Sequence, residues 1–305
     1  MKKVLLASTV LAMTATVAAA DVTVSGTARM GVAYNSEAPN ELGFTSRARV
    51  NFTMSGETDT GLSFGASFDA HDAGNANNGT GGDVNGEGSM SSGSVFISGA
   101  FGRLTMGDVA GAAEFVVGDL AGVGLTDLGD TNENIYLSNN GAFSRAAARY
   151  EYTSGALTFA VSADNPQFDS PLFENVYSVG VRYAVDSYSF ALGYETSKIL
   201  GVTVDHVIAA AEGTFSGVTV KATYGEASDV DFSQYGISAR YSMDALALTA
   251  FHRVEDDAGA KDKFTGIGAS YDLGGGASLV GGLVSVNPAV GSNETRADFG
   301  VSFSF

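Results

Sequence analysis

DVTVSGTARMGVAY, residues 21–34, alternates with a period of two. Val22, Val24, Gly26, Ala28, Met30, Val32 and Tyr34 fall on one face, and Thr23, Ser25, Thr27, Arg29, Gly31 and Ala33 on the other. That period marks a strand whose two faces meet different surroundings. The next stretch repeats it. Leu42, Phe44, Ala48, Val50, Phe52 and Met54 share a face with Ser46, opposite Thr45, Arg47, Arg49, Asn51 and Thr53. Leu62, Phe64, Ala66, Phe68 and Ala70 follow against Ser63, Ser67, Asp69 and His71. At the far end Ala297, Phe299, Val301, Phe303 and Phe305 alternate with Arg296, Asp298, Gly300, Ser302 and Ser304.

Further alternating runs lie near 93–99, 103–107, 145–152, 156–164, 176–185, 188–195, 204–215, 217–225, 234–241, 245–254, 263–273 and 277–286, which makes 16 candidate strands. The run at 277–286 is ambiguous, because Val280, Val284 and Val286 compete with Leu279 and Leu283 for the apolar face. Turn residues separate the runs, as at Thr58–Gly61, Ser154-Gly155, Ser216-Gly217 and Leu273–Gly276. Helical periodicity is nearly absent.

Upstream of residue 21 the chain reads as an address. Met1-Lys2-Lys3 is a positive start, Val4–Val17 an apolar run, and Ala18-Ala19-Ala20 a small-residue cleavage site. The apolar run is shorter than the ~20 residues a spanning helix needs, and no later segment supplies them. We therefore expect 1–20 to be a cleaved signal peptide and 21–305 to form one domain. The chain has 305 residues, 40 Gly, no Cys and only 16% charged residues, with a net charge of −18. Without Cys there is no disulfide scaffold, thiolate metal site or Cys nucleophile. Such acidity argues against nucleic acid as a partner.

Alternating antiparallel strands fit either a soluble all-β protein or a barrel in an outer membrane. The polar face decides between them. After residue 20 there are only four Lys (Lys198, Lys221, Lys261 and Lys263), and nine of the ten Arg lie on polar strand positions, Arg103 excepted. A face of Ser, Thr, Gly and Ala with isolated Arg suits a confined aqueous lumen. The other face, rich in Val, Leu, Phe and Tyr, suits lipid. Tyr34, Tyr150, Tyr152, Tyr183, Tyr194, Tyr224, Tyr241 and Tyr271 near strand ends then read as an interfacial girdle.

Several stretches resemble the trimeric, 16-stranded general porins of Gram-negative outer membranes in their alphaproteobacterial form. They are Gly26–Tyr34, Ser46–Val50 through Phe52–Gly56, Gly61–Ala66, Gly99–Asp108 and the terminal Phe305. The resemblance spans the chain after residue 20. It implies an antiparallel transmembrane barrel whose long third loop folds inward, a homotrimer in the outer-membrane bilayer, and passive diffusion of small hydrophilic solutes and ions. No cofactor is required for that. A substrate-selective channel and a membrane enzyme on a barrel scaffold are the alternatives. An enzyme needs a Ser/His/Asp constellation at the rim, and the positions of His71, His206 and His252 give no support for one.

The longest break in the alternation, 108–143, corresponds to that inward loop. Its Ala112–Leu120 segment is apolar enough to lie on a wall. Glu114, Asp119, Asp127 and Asp130 make it acidic. Arg29, Arg47 and Arg49 on two adjacent strands, with Arg145 and Arg149 just after the loop, form a basic counterpart. We expect a constriction with a positive wall facing a negative loop, and modest cation selectivity overall. The resemblance permits Ca2+ at Glu114, Asp119, Asp127 and Asp130, although these acids lack a ligand spacing of their own. Gly79–Gly86 shares the Gly/Asp content of calcium-binding nonapeptides but occurs once, which marks an external loop.

Overall fold

The computed structural model describes residues 21–71, 93–139, 146–165, 175–228 and 230–305. The expected signal peptide (1–20), the Gly79–Gly86 loop and Arg145 lie outside the described residues. Sixteen strands follow one another. The first eight are β1 (Asp21–Asn35), β2 (Leu42–Glu57), β3 (Ser63–His71), β4 (Ser94–Gly99), β5 (Gly102–Val109), β6 (Ala146–Ser154), β7 (Leu157–Ala163) and β8 (Tyr177–Val185). The second eight are β9 (Tyr188–Ile199), β10 (Val202–Phe215), β11 (Val218–Ala227), β12 (Phe232–Met243), β13 (Leu246–Asp257), β14 (Ala260–Gly274), β15 (Ala277–Asn287) and β16 (Glu294–Ser304). Each is antiparallel to its neighbours in sequence, and β1 pairs with β16 to close the barrel.

Closure is staggered. Gly26 and Phe305 exchange backbone hydrogen bonds of 3.3 and 2.8 Å, and Ala28 lies opposite Phe303. Asp21–Ser25 pair with β2 and extend past the seam, so Phe305 meets Gly26 instead of Asp21. A barrel of tilted strands needs such a shear between its first and last strands.

Several tight turns follow from residue type. Ser216-Gly217, Leu200-Gly201 and Ala258-Gly259 each form a two-residue connection in which both residues have positive φ. That is the mirror-image turn whose twist matches antiparallel strands, and Gly tolerates its second position without strain.

Alternation orients the faces as the sequence indicates. Val22 (64% exposed) and Phe44 (80%) point outward, while Arg29 and Ala33 point inward and are buried. Exposed Tyr residues recur six positions apart at Tyr177 and Tyr183, Tyr188 and Tyr194, and Tyr235 and Tyr241. Six residues span about 20 Å along a strand, placing one aromatic level near each end of an apolar band.

The packed core sits inside the lumen. Residues 110–139 enter it and carry a short helix, α1 (Ala112–Val117), and a 3-10 turn (Leu137–Asn139). Alternation gave no sign of α1. Ala112, Ala113, Val116, Val117 and Tyr136 pack on Ala160 and Ile208 of the wall. Leu120, Val123 and Leu128 pack on Phe251, Val284 and Val286. This settles the ambiguity of β15: Leu283 faces outward, whereas Val284 and Val286 face inward beneath the loop.

The closing register is testable because the chain has no native Cys. Directly opposed residues have Cβ atoms about 5 Å apart, within reach of a disulfide after small adjustment. Oxidised Ala28→Cys/Phe303→Cys should resist heat unfolding in detergent gels until reduced. The offset pair Ala28→Cys/Val301→Cys should not. Cross-linking of the offset pair alone would contradict this register.

Candidate functional site

A peptide segment inside a barrel must find partners for its N–H and C=O groups. The inward faces of the strands supply them. At α1, the Ala112 and Ala113 amides donate to Ser162 of β7 and Ser178 of β8, each at 2.8 Å. The helix lies close to the wall because Gly180 and Gly193 have no side chains. A Cβ on Gly193 would sit 2.5 Å from the Ala113 Cβ, and one on Gly180 2.5 Å from Val116 Cγ2. At the other end of α1, Lys221 Nζ donates to the Val117 carbonyl at 2.6 Å.

Beyond α1 the loop follows the wall towards the barrel seam. The Ala121 amide donates to Ser238 of β12 at 3.0 Å. Asp298 of β16, almost fully buried, accepts from the Leu125 and Thr126 amides at 2.9 and 2.6 Å and from Thr126 Oγ1 at 2.8 Å. Arg29 of β1 donates to the Leu125 carbonyl at 3.3 Å.

The returning limb is held in the same way. Arg296 donates to the Leu128 carbonyl and Arg253 to that of Thr131. Asp119 accepts from the Asn134 amide at 2.8 Å, tying the two limbs together. Burial raises the Asp119 carboxyl above the usual carboxylate range, and the Asn134 amide opposes that shift. Gln234 of β12 pairs with both the N–H and C=O of Ile135, at 2.8 and 2.7 Å. Glu195 of β9, fully buried, accepts from the Leu137 amide at 2.8 Å and from Ser138 Oγ at 2.6 Å.

The basic residues expected to face the loop divide by environment. Arg29 is 7% exposed; it lies beneath the loop and pairs with Asp127 at 3.9 Å, so it touches the loop and does not face it across water. Arg149 donates to the Ala110 carbonyl, pairs with Glu151 at 3.1 Å and stacks over Phe115. Arg47 and Arg49 lie together on the inward face of β2 and stay partly exposed; Arg49 is 4.0 Å from Asp69.

The acidic residues are dispersed. Glu114 is on α1 and partly exposed, Asp119 joins the loop limbs, Asp127 is 59% exposed beside Arg29, and Asp130 is exposed. Among the described residues no three His, Asp or Glu side chains gather as a metal-ligand set.

Sequence reading missed Glu195, His206, Gln234, Asp298 and the wall serines. One signal was available. Glu195 and Asp298 are acids in mid-strand on an inward face, where an unpartnered charge is costly.

Asp298→Ala would leave three loop donors without their acceptor, at about 1–3 kcal/mol for each donor left buried and unpaired. The Leu125 and Thr126 amides should then exchange with solvent roughly a hundredfold faster, while strand amides keep their protection. Unchanged exchange at Leu125 and Thr126 would mean Asp298 does not fasten the loop.

Comparison with known proteins agrees with this architecture. The Gram-negative porin family model matches residues 7–287. A porin of Rhodobacter capsulatus is 36% identical over 317 residues, covering 93% of this chain and all of that protein. A porin of Fuscovulum blasticum is 27% identical over 313 residues, with the same coverage. A porin structure refined at 1.8 Å superposes with a TM-score of 0.78 at 34% identity, covering 93% of this chain and 100% of its own. With a closed 16-stranded barrel, lipid-compatible outer faces and a loop fastened in its lumen, the chain belongs to the family of Gram-negative porins, outer-membrane channels.

Proposed function

We propose that the pore is a passive route for small hydrophilic solutes and ions, narrowed by residues 110–139 and biased by charge at the narrowing. The family indicates a channel rather than an enzyme, and diffusion through water needs no catalytic group. The observation that carries this reading is the loop itself. Its backbone is bonded to wall residues on β6–β9, β11–β13, β16 and β1, while Arg47 and Arg49 of β2 stay partly exposed. Arg47, Arg49 and the exposed loop acids Asp127 and Asp130 then shape the field that a solute crosses.

We also infer export by the N-terminal segment and assembly into a homotrimer within the bilayer. The outer faces of β1 and β16 near their seam carry Gly26, Ala28 and Ala297, whose small side chains allow a neighbouring barrel to approach. Native mass measurement in mild detergent should return three copies. A monomer alone would overturn the assembly.

A unit charge about 10 Å away in water contributes roughly 0.4 kcal/mol, about a twofold change in local ion concentration. Replacing Arg47 and Arg49 with Ser should therefore raise conductance and shift reversal potentials towards cations, with the local cation concentration up to roughly fourfold higher at low salt. The effect should shrink as salt screens it. Barrel melting should change little. Unaltered selectivity and conductance would remove both arginines from the pore lining.

A further inference from the structure

His206 of β10 is 2% exposed and stands between two anchors of the returning limb. Its Nδ1 is 3.1 Å from Glu195 Oε2, and its Nε2 is 3.3 Å from Gln234 Nε2. The Gln234 amide cannot be reversed. Its oxygen accepts from the Ile135 N–H at 2.8 Å and its nitrogen donates to the Ile135 carbonyl at 2.7 Å, and a flip would set donor against donor and acceptor against acceptor. The second amide hydrogen of Gln234 therefore points at His206 Nε2, which must accept it. The ring is then neutral with its proton on Nδ1, donated to Glu195.

Glu195 is equally constrained. The Leu137 amide, the Ser138 amide, Ser138 Oγ and His206 Nδ1 all converge on its two oxygens. Only an ionised carboxylate accepts from all four. The surroundings of His206 hold few other titratable groups. Tyr136 of the loop meets the ring edge-on at 6.3 Å, and its hydroxyl is turned to the Gly118 carbonyl. From β11, Gly225 is the close neighbour; a Cβ there would lie 3.0 Å from His206 Nε2. Asp119 of the loop stands further off, bonded to the Asn134 amide. Asp205, next in sequence, faces outward and bonds to Tyr194 and Thr196.

We propose that Glu195, His206 and Gln234 form a proton-sensitive latch that positions the returning limb of the loop. A second proton on His206 places an N–H at Nε2 against the Gln234 N–H. The Glu195 carboxylate holds the imidazolium in place, so the amide must yield. Gln234 turns its oxygen to Nε2 and loses both bonds to Ile135. Of the wall's bonds to the backbone of residues 135–138, those to Glu195 then remain, and the narrowing fluctuates. Acid loosens the latch; neutral pH closes it.

The test is single-channel recording on the full protein in planar bilayers between about pH 8 and pH 4.5. Brief sub-conductance events should become severalfold more frequent in acid. His206→Gln supplies a donor to Glu195 and an acceptor to Gln234 without titrating; it should keep the neutral-pH conductance and abolish the acid response. A flat wild-type profile, or an acid response unchanged in H206Q, overturns the proposal. This reading rests on the loop narrowing the channel, and hydrogen exchange supplies a readout that does not. In the wild-type protein, the Ile135, Leu137 and Ser138 amides should lose protection in acid relative to Ala112 and Ala113, whose serine acceptors do not titrate. Equal behaviour of the two sets overturns the latch even if H206Q assembles poorly.

Discussion

In hydrocarbon, each backbone N–H and C=O must be satisfied within the protein, because the surroundings offer no partner. A sheet meets that demand only by closing on itself. Here closure is made by β1 against β16, with Gly26 and Phe305 bonded across the seam. The same constraint then recurs one level down. Residues 110–139 are irregular backbone at membrane depth, and such backbone persists only where protein or water meets its polar groups. The wall meets them residue by residue. Ser162, Ser178, Ser238, Glu195 and Asp298 accept from loop amides; Arg29, Lys221, Arg149, Arg253 and Arg296 donate to loop carbonyls. Much of the charge inside this barrel therefore complements peptide groups.

Packing is arranged inside out. The apolar outer face packs against no other part of the described chain along most of its length. Among the described residues each buried apolar cluster includes residues of the loop, and Ala113 and Val116 rest on Gly193 and Gly180 of the wall. Small wall residues and an apolar loop are one device: the glycines set the distance at which Ser162 and Ser178 reach the helix amides. Enlarging either partner separates donor from acceptor as well as creating a clash. Packing and hydrogen bonding here cannot be altered independently.

The barrel was legible because its faces meet opposite surroundings, so a period of two recurs in strand after strand from β1 to β16. All sixteen strands correspond to alternating runs, with ends shifted by a few residues. Legibility fails where the loop touches the wall. Val284 and Val286 on β15, and Val204 and Ile208 on β10, are apolar residues on the inward face, and they blur the alternation because their partners come from residues 110–139 and 176. α1 is only six residues long and wholly dependent on the wall, too short to show a helical period. Glu195 and Asp298 read in sequence as two more lumen acids. Nothing local says that one meets Leu137 and the other Leu125, across 58 and 173 residues.

Arginine in the lumen consequently has two roles that sequence cannot separate. Arg29 and Arg47 are directly opposed on β1 and β2, an arrangement of like charges that is unfavourable on its own. The loop relieves it, because Arg29 is covered, paired with Asp127 and bonded to the Leu125 carbonyl. Its charge is compensated locally, in a place with little water to screen it. Arg47 and Arg49 remain partly exposed on the inward face of β2. Removing Arg29 would thus expose a loop carbonyl and free an acid before it altered permeation. Fastening the loop covers one arginine of the opposed pair, while Arg47 and its neighbour Arg49 stay partly exposed.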